Sequence, residues 1–385
     1  TPAYQIWKDQ RAVFGAAYGM EAVNYFALPG EPLEETPSFR RSNAWNATAQ
    51  ECRAVRDAAG INEIHNFSKY RVTGPDARAW LDWIMAGRIP KVGRLSLTPM
   101  LSPAGKLIGD FTVTALAEDT FQLTASFGSQ AYHTRWFEQH LAGYEVDIEN
   151  VSTRRIGFQI AGPRARDVLS AVTGADVSAA AFRFMDARTI DVGPYQALVQ
   201  RVSYTGDLGY EIYVNADEQY GLYQVLAEAG AAHGMRPFGM RAMMSLRLEK
   251  FFGSWMREFR PDYKPAETGM DRFVSYNKPV EFIGKAAAAA EKSAGPTRTL
   301  CAFAVDADEA DVVADEPIFD GENVVGFVTS GGYAHYSKQS VALGFVPTDM
   351  AVDGRRFAIE ILGDRRTATI ITTPLVDPDG ARMRG

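Results

Sequence analysis

Apolar and polar residues alternate along several short segments of the chain, as expected of strands with one face buried. This pattern predicts strands over residues 111–116, 121–125, 197–202 and 210–214. Apolar positions recur at helical spacing over 218–233, which Gly234 follows as a typical helix stop, and over 241–251. Because strands and helices mix along the same part of the chain, the pattern predicts an α+β fold.

One pattern of strand, turn and helix occurs twice. Residues 70–81 and 158–169 share five identities in register, namely Gly, Pro, Ala, Arg and Leu. In each copy alternating apolar positions precede Gly-Pro, and a proline just inside the start of the next segment favours a helix. The repeat therefore predicts two related α+β modules.

A polar, turn-rich stretch at 291–297 is typical of a junction between domains. Beyond it, Gly, Asp and Pro separate short β-rich segments at 300–305, 324–330, 341–346, 357–362 and 367–373. That spacing predicts a small antiparallel barrel or sandwich. We therefore predict one region of two interleaved modules over 1–292 and a β-domain over 297–385.

Composition narrows the classes of function. The 47 acidic and 40 basic residues are scattered, so no basic face for nucleic acid is predicted. Cys52 and Cys301 allow no disulfide framework and no CxxC metal site, and Cys301 lies in an apolar run that predicts burial. The opening residues lack the pattern of a signal peptide, and no apolar run is long enough to span a membrane. We expect a cytoplasmic protein without a membrane partner.

The common catalytic motifs are missing, so the candidate chemistry rests on three other segments. The chain contains no Walker A loop, GxGxxG, HExxH or GxSxG, and its five histidines are too dispersed to predict a metal site. The loop at 203–211 has two glycines and ends in a strand that bears Glu211, and 101–111 forms a turn that leads to Asp110. The helix at 239–250 carries two arginines, which by spacing alone could be salt-bridge partners or ligand clamps.

Together with residues 13–21, 39–45, 51–56, 246–250 and 282–285, these segments resemble the folate-binding aminomethyltransferase family, which includes the T-protein of glycine cleavage. The resemblance covers nearly the whole chain and is nearest to the carboxy-terminal folate halves of dimethylglycine and sarcosine dehydrogenases. It implies a three-domain cloverleaf with folate in the central opening and a small C-terminal β-barrel.

The resemblance also implies roles for individual residues. Asp110 matches the family's catalytic aspartate, and Arg241 matches its folate-binding arginine. Glu211 would accept hydrogen bonds from the amino and ring N–H groups of the pterin, because an ionised carboxylate offers two adjacent acceptor oxygens. Tyr204 and Trp255 fall at aromatic positions that line the folate channel in relatives.

Two departures from the family bear on the donor. Glycine-cleavage members carry Ser-His-Met where this chain has His65-Asn66-Phe67, so the histidine stands one position early. His65 either contacts the donor or has an ordinary structural role. The chain also lacks a dinucleotide-binding fingerprint, so oxidation of a methyl group would need a separate flavoprotein oxidoreductase.

The resemblance thus implies a tetrahydrofolate-dependent transferase or demethylase that moves a methyl or methylene group from a small methylated metabolite to tetrahydrofolate. Two alternatives stay open: a glycine-cleavage aminomethyltransferase, and a non-catalytic folate-binding subunit of an oxidoreductase. Folate-binding relatives that aid iron–sulfur assembly carry a Lys-Gly-Cys motif. This chain has Lys250-Phe251-Phe252 at that position, which disfavours such a role.

Overall fold

A computed structural model describes residues 1–17 and 19–385; Tyr18, within the 13–21 motif, lies outside the described residues. The strands before residue 240 are β1 (Ala12–Ala17), β2 (Met20–Phe26), β3 (Ala59–Glu63), β4 (Phe67–Thr73), β5 (Leu95–Leu101), β6 (Leu107–Ala117), β7 (Thr120–Ser126), β8 (Asp147–Asn150), β9 (Arg155–Ala161), β10 (Ala187–Val192), β11 (Tyr195–Gln200), β12 (Gly209–Asn215) and β13 (Met235–Pro237). The helices are α1 (Tyr4–Asp9), α2 (Trp45–Asp57), α3 (Ala77–Ile84), α4 (Gln130–Gln139), α5 (Ala165–Ser170), α6 (Gln219–Ala231), α7 (Met240–Leu248), α8 (Pro265–Thr268), α9 (Lys285–Ala294) and α10 (Ala381–Arg384). No helix in these residues is both long and apolar enough to cross a membrane.

Two mixed layers of sheet and helix make up the first part of the chain. The first sheet has the strand order β10-β11-β12-β9-β3-β13 and packs its apolar face on α5 and α6. The second has the order β5-β6-β7-β4-β8 and packs on α3 and α4. This arrangement confirms the predicted α+β class.

The repeated pattern forms the same structure in both layers, β4 followed by α3 and β9 followed by α5. Gly74 has φ 132° and Gly162 has φ 128°, a region open to glycine, and a Cβ at either position would lie within 2.4 Å of a backbone oxygen. The prediction for the prolines was wrong in one respect. The helices begin at Ala77 and Ala165, so each proline stands before the N-cap residue and shapes the turn instead.

Six strands after residue 297 close into a barrel, which decides between the predicted barrel and sandwich. They are β14 (Arg298–Val305), β15 (Pro317–Asp320), β16 (Asn323–Ala334), β17 (Gln339–Pro347), β18 (Arg356–Ile361) and β19 (Asp364–Ile371), in the order β14-β17-β16-β15-β18-β19. Strand β15 was not predicted, because its four residues include a proline and an aspartate. Cys301 is buried on β14, as expected.

Several element ends differ from the prediction. Strand β6 begins at Leu107 instead of residue 111, so Asp110 lies within the strand and not in the turn before it, and β16 ends at Ala334 instead of residue 330. Strand β11 ends at Gln200 instead of residue 202, where the chain turns into the loop before β12. Helix α7 ends at Leu248 instead of residue 251, because Phe251 adopts φ 56°, which a helix does not accommodate.

The two sheets turn polar faces toward each other. On β6, Phe111 and Val113 belong to the core beneath the helices, so Asp110 and Thr114 lie on the opposite face. Gln200 at the end of β11 donates from Nε2 to Oγ1 of Thr114 at 3.0 Å, which joins the first sheet to the second across this space. Side chains of different domains can therefore meet between the sheets.

Candidate active site

Asp110 and Glu211 occupy the two facing surfaces. Glu211 on β12 pairs in register with Gln200, the residue that bridges to Thr114, and Asp110 lies on the same face of β6 as Thr114. The structure therefore brings two carboxylates that are about a hundred residues apart in sequence to one inter-sheet space. Two carboxylates on facing sheets can divide the tasks of binding and proton transfer.

Asp110 is suited to proton transfer near neutral pH. Its side chain keeps some exposure, but the surrounding protein raises the pKa of its carboxyl to about 7 because burial penalises the charged form. Its own backbone N–H opposes this effect only weakly. A carboxyl with this pKa can take up and release a proton at physiological pH.

Glu211 is held from one side. The hydroxyl of Tyr213 donates to its Oε2 at 2.7 Å. Burial raises the pKa of Glu211 to about 7, while the Tyr213 hydrogen bond and the charge of Lys69 act in the opposite direction. Among the described residues no donor is assigned to its Oε1, so that oxygen can accept a hydrogen bond from a ligand.

The two predicted aromatic residues are placed differently. The ring of Tyr204 stacks on Phe252 at 6.2 Å, and its hydroxyl donates to the Gly253 carbonyl at 2.7 Å. Burial raises the pKa of Tyr204, and the charges of Glu258 and then Asp110 act in the same direction. Trp255 is almost completely buried, and its indole N–H donates to Oγ of Ser129 at 2.5 Å. Tyr204 thus lies within electrostatic range of Asp110, whereas Trp255 offers a ligand little surface.

Arg241 does not contact either carboxylate of the site in the described structure. It lies in the first turn of α7, its side chain is 53% exposed, and its guanidinium pairs with Glu35 at 2.9 Å. Its role in folate binding stays a prediction that requires Glu35 to release it.

His65 is buried beside a small cavity. Its Nε2 lies 3.1 Å from the Glu21 carbonyl oxygen and its Nδ1 lies 3.4 Å from Glu63 Oε2. Burial lowers the pKa of His65, so the ring is neutral at physiological pH. The cavity, bounded also by Trp7 and Met240, has about 10 Å³, enough for a water molecule. A contact between His65 and the donor stays a prediction.

The segment 246–250, part of the predicted signature, forms buried ion pairs that hold the site loops. Glu249 accepts from Arg56 at 2.8 Å, and Arg56 also pairs with Asp207 in the loop that presents Tyr204. A second buried pair joins Arg247 to Glu258 at 3.4 Å, and Glu258 in turn accepts the Ser254 backbone N–H beside Trp255. The buried ion pairs of segment 246–250 therefore hold the loops that carry Tyr204 and Trp255.

Removing one member of this network should cost far more stability than removing a surface charge. We expect Glu249→Ala to lower the free energy of unfolding by about 3–5 kcal/mol, because it leaves the buried Arg56 with one carboxylate instead of two. The control is Glu281→Ala, whose 79% exposed carboxylate pairs with Lys285 and should contribute less than about 1 kcal/mol. Urea denaturation measures the free energy of unfolding of both variants. Equal losses of this free energy would show that the buried ion pairs do not stabilise the fold.

Sequence patterns missed several groups that face the inter-sheet space. Gln122 Nε2, Thr124 Oγ1 and Gln200 Oε1 are buried and have no hydrogen-bond partner in the described structure. Gln122 and Thr124 lie on the face of β7 opposite the apolar core. Buried polar atoms normally find partners, so these atoms fit a space that receives a polar ligand.

Comparisons with known proteins extend these observations. Residues 3–278 match the model of the GCVT N-terminal domain, and residues 298–377 match the glycine cleavage T-protein C-terminal barrel domain. The chain is 35% identical over 368 residues to mitochondrial dimethylglycine dehydrogenase of Mus musculus, covering 95% of this chain but only 42% of that protein. It is 30% identical to an aminomethyltransferase of Bacillus cereus, covering 86% of this chain and 90% of that one.

The fold has a solved counterpart. The glycine cleavage system aminomethyltransferase T from Bartonella henselae superposes with a TM-score of 0.83 over 98% of both chains, at 25% sequence identity. The chain thus aligns with whole aminomethyltransferases, whereas it spans less than half the length of the dimethylglycine dehydrogenase relative.

Proposed function

Because the chain belongs to the glycine-cleavage T-protein family of folate-dependent aminomethyltransferases, we propose that it transfers a methyl or methylene group from a small methylated metabolite, such as an N-methylated amine, to tetrahydrofolate. The observation that carries this proposal is the pair of carboxylates, Asp110 and Glu211, on facing sheets. The similarity to a dehydrogenase named for an N-methylated amino acid supports the donor class.

Tetrahydrofolate suits the chemistry of the inter-sheet space. Glu211 has an acceptor oxygen available for the amino group of a pterin, and the unpaired polar atoms of Gln122 and Gln200 offer further hydrogen bonds. The hydroxyl of Tyr204 is already bonded to Gly253, so Tyr204 contributes a ring face to bind an aromatic portion of the ligand. These features support folate as the acceptor.

Asp110 serves the transfer step. When ionised it accepts the proton that the folate nitrogen loses as the new C–N bond forms, and it stabilises positive charge on the transferring carbon. The pKa of about 7 leaves the carboxylate well populated at neutral pH and basic enough to accept a proton. Glu211 binds and orients the pterin, and Asp110 accepts the proton from the folate nitrogen.

Two routes deliver the carbon. A donor methyl group activated as an onium ion passes directly to the folate nitrogen and gives 5-methyltetrahydrofolate, with the demethylated donor as the leaving group. Alternatively, a separate flavoprotein oxidises the donor to an iminium ion or formaldehyde, which condenses with tetrahydrofolate to give 5,10-methylenetetrahydrofolate. The similarity to a protein named as a dehydrogenase, which is an oxidising enzyme, favours the second route.

A second candidate is the aminomethyltransferase of glycine cleavage, favoured by the full-length match to the Bartonella henselae structure. The two functions differ in their donor. The glycine-cleavage function requires an aminomethylated lipoyl carrier protein, whereas the proposed function uses a free small molecule.

A product assay tests the proposal. The protein is incubated with tetrahydrofolate and, separately, methylated amines, methylated sulfonium compounds, formaldehyde and the aminomethylated lipoyl carrier protein. Mass spectrometry then detects methyl- and methylene-folate against a protein-free control, which corrects for spontaneous condensation of formaldehyde. Product from a small methylated donor or enhanced capture of formaldehyde supports the proposal, and product from the carrier protein alone supports glycine cleavage. No product above the control with any donor contradicts both.

The transfer rate should depend on the ionisation of Asp110. Because the pKa of this carboxyl is about 7 and its ionised form accepts the proton, the single-turnover rate should rise with pH and level off above that value. Below about pH 6 the rate should fall about tenfold per pH unit. Rapid-quench measurements with wild type and Asp110→Asn test this, since the variant should show a low rate without the rise. A wild-type rate that falls with pH would contradict the role.

A further inference from the structure

Lys69 carries a buried ammonium group that has no part in the proposed transfer step. Its side chain, on β4, is fully buried. Among the described residues, Nζ is assigned one hydrogen bond, to the Ile64 carbonyl oxygen at 3.4 Å, which is longer than usual for such a bond. No carboxylate of the described residues lies within the 4.0 Å of an ion pair with it. Buried charges are normally paired, so this ammonium lacks its usual partners.

Two other buried lysines in the same protein have hydrogen-bond and ion-pair partners for their ammonium groups. Nζ of Lys278 donates to three carbonyl oxygens at 2.5–3.1 Å and lies 3.0 Å from an Asp82 carboxylate oxygen. Nζ of Lys250 donates to the Val376 and Asp377 carbonyl oxygens and lies 3.6 Å from the Asp377 carboxylate. Both lysines have structural partners, whereas Lys69 has N–H donors to which no partner is assigned among the described residues.

These unpartnered donors lie near the charge of Glu211. Lys69 pairs in register with Thr124 on the polar inter-sheet face, and its Nζ lies 5.9 Å from the ring centre of Tyr213, whose hydroxyl holds Glu211. Burial lowers the pKa of Lys69 to about 7, and the charges of Glu211 and then Glu63 oppose that fall. An acceptor and a donor thus stand side by side on the two facing sheets.

We propose that Lys69 donates a hydrogen bond to the C4 carbonyl oxygen of the pterin while Glu211 accepts from its amino and N3–H groups. This proposal rests on the proposed function. The pyrimidine edge of a 4-oxo pterin presents two N–H donors followed by one carbonyl acceptor. A carboxylate beside an ammonium is complementary to that order of donors and acceptors. Lys69 therefore selects a pterin with oxygen at C4.

The test compares two ligands that differ at that position. Calorimetric titrations use tetrahydrofolate and its 4-amino-4-deoxy analogue, in which an amino group replaces the carbonyl and opposes the Lys69 ammonium. Wild type should bind tetrahydrofolate about ten- to hundredfold more tightly than the analogue, and Lys69→Met should narrow the ratio to within about threefold. Lys278→Met, which removes a buried lysine whose partners are structural, should keep the wild-type ratio.

Each outcome decides the proposal. A wild-type protein that binds both ligands equally overturns it, as does a folded Lys69→Met that keeps the full ratio. If Lys69→Met does not fold, the same ratio is measured for Lys69→Gln, whose shorter, uncharged side chain should also narrow it; an unchanged ratio in that variant overturns the proposal. Suppose that wild type binds tetrahydrofolate, that Glu211→Ala does not bind it, and that the ratio of the two affinities is the same in wild type and the Lys69 variant. In that case only the Lys69 proposal fails. If wild type binds no tetrahydrofolate, the proposed function fails as well.

Discussion

Asp110→Asn should lower the single-turnover rate of one-carbon transfer by about 10²–10⁴-fold, the usual contribution of a positioned proton acceptor. The substitution keeps the shape of the side chain but removes its basicity. Tetrahydrofolate affinity should change by less than about threefold, because the lost interaction is made in the reaction and not in binding. Rapid-quench kinetics and calorimetry measure the two quantities separately.

The matched control is Asp191→Asn on β10, an exposed aspartate on the edge strand of the first sheet, which should leave both quantities unchanged. Transfer by Asp110→Asn at the wild-type rate would remove the catalytic role of this residue. A loss of affinity as large as the loss of rate would instead make Asp110 a binding residue.

Glu211→Ala should weaken tetrahydrofolate binding by about 10²–10⁴-fold, because it removes a charged acceptor that serves two N–H donors at about 1.5–3 kcal/mol for each hydrogen bond. The variant also leaves the Tyr213 hydroxyl without its acceptor, so thermal unfolding must first show that the fold is intact. Calorimetric titration then gives the affinity.

Glu228→Ala provides the control, since Glu228 is an exposed carboxylate on α6 and its loss should not alter affinity. An unchanged affinity in a folded Glu211→Ala would mean that the pterin does not bind at this carboxylate. Affinity lost equally in both variants would point to overall charge as the cause.

Local patterns predicted several elements well. The alternation of apolar residues predicted the strand with Glu211, and the repeated Gly-Pro pairs predicted the turns, at which Gly74 and Gly162 adopt positive φ. Strand β15 was not predicted, because its pairing with neighbouring strands, and not its own sequence, makes it a strand.

The candidate site was harder to predict, because it forms between two sheets. On β4, alternation with the buried Tyr70 and Val72 assigns Lys69 to a solvent-facing position, yet the first sheet covers that face. Arg241 shows the opposite case, since the resemblance implies a ligand contact and the structure gives it Glu35 as a partner. Which side chains meet across domains depends on tertiary packing, about which spacing in one strand carries no information.

The position of bound tetrahydrofolate tests the proposed function most directly. A crystal structure of the complex should show the pterin between the sheets, with its amino group within hydrogen-bond distance of Glu211 and the reacting nitrogens facing Asp110. Folate bound elsewhere, for example in the groove of about 520 Å³ on the barrel that Arg41 and Lys338 line, would contradict it.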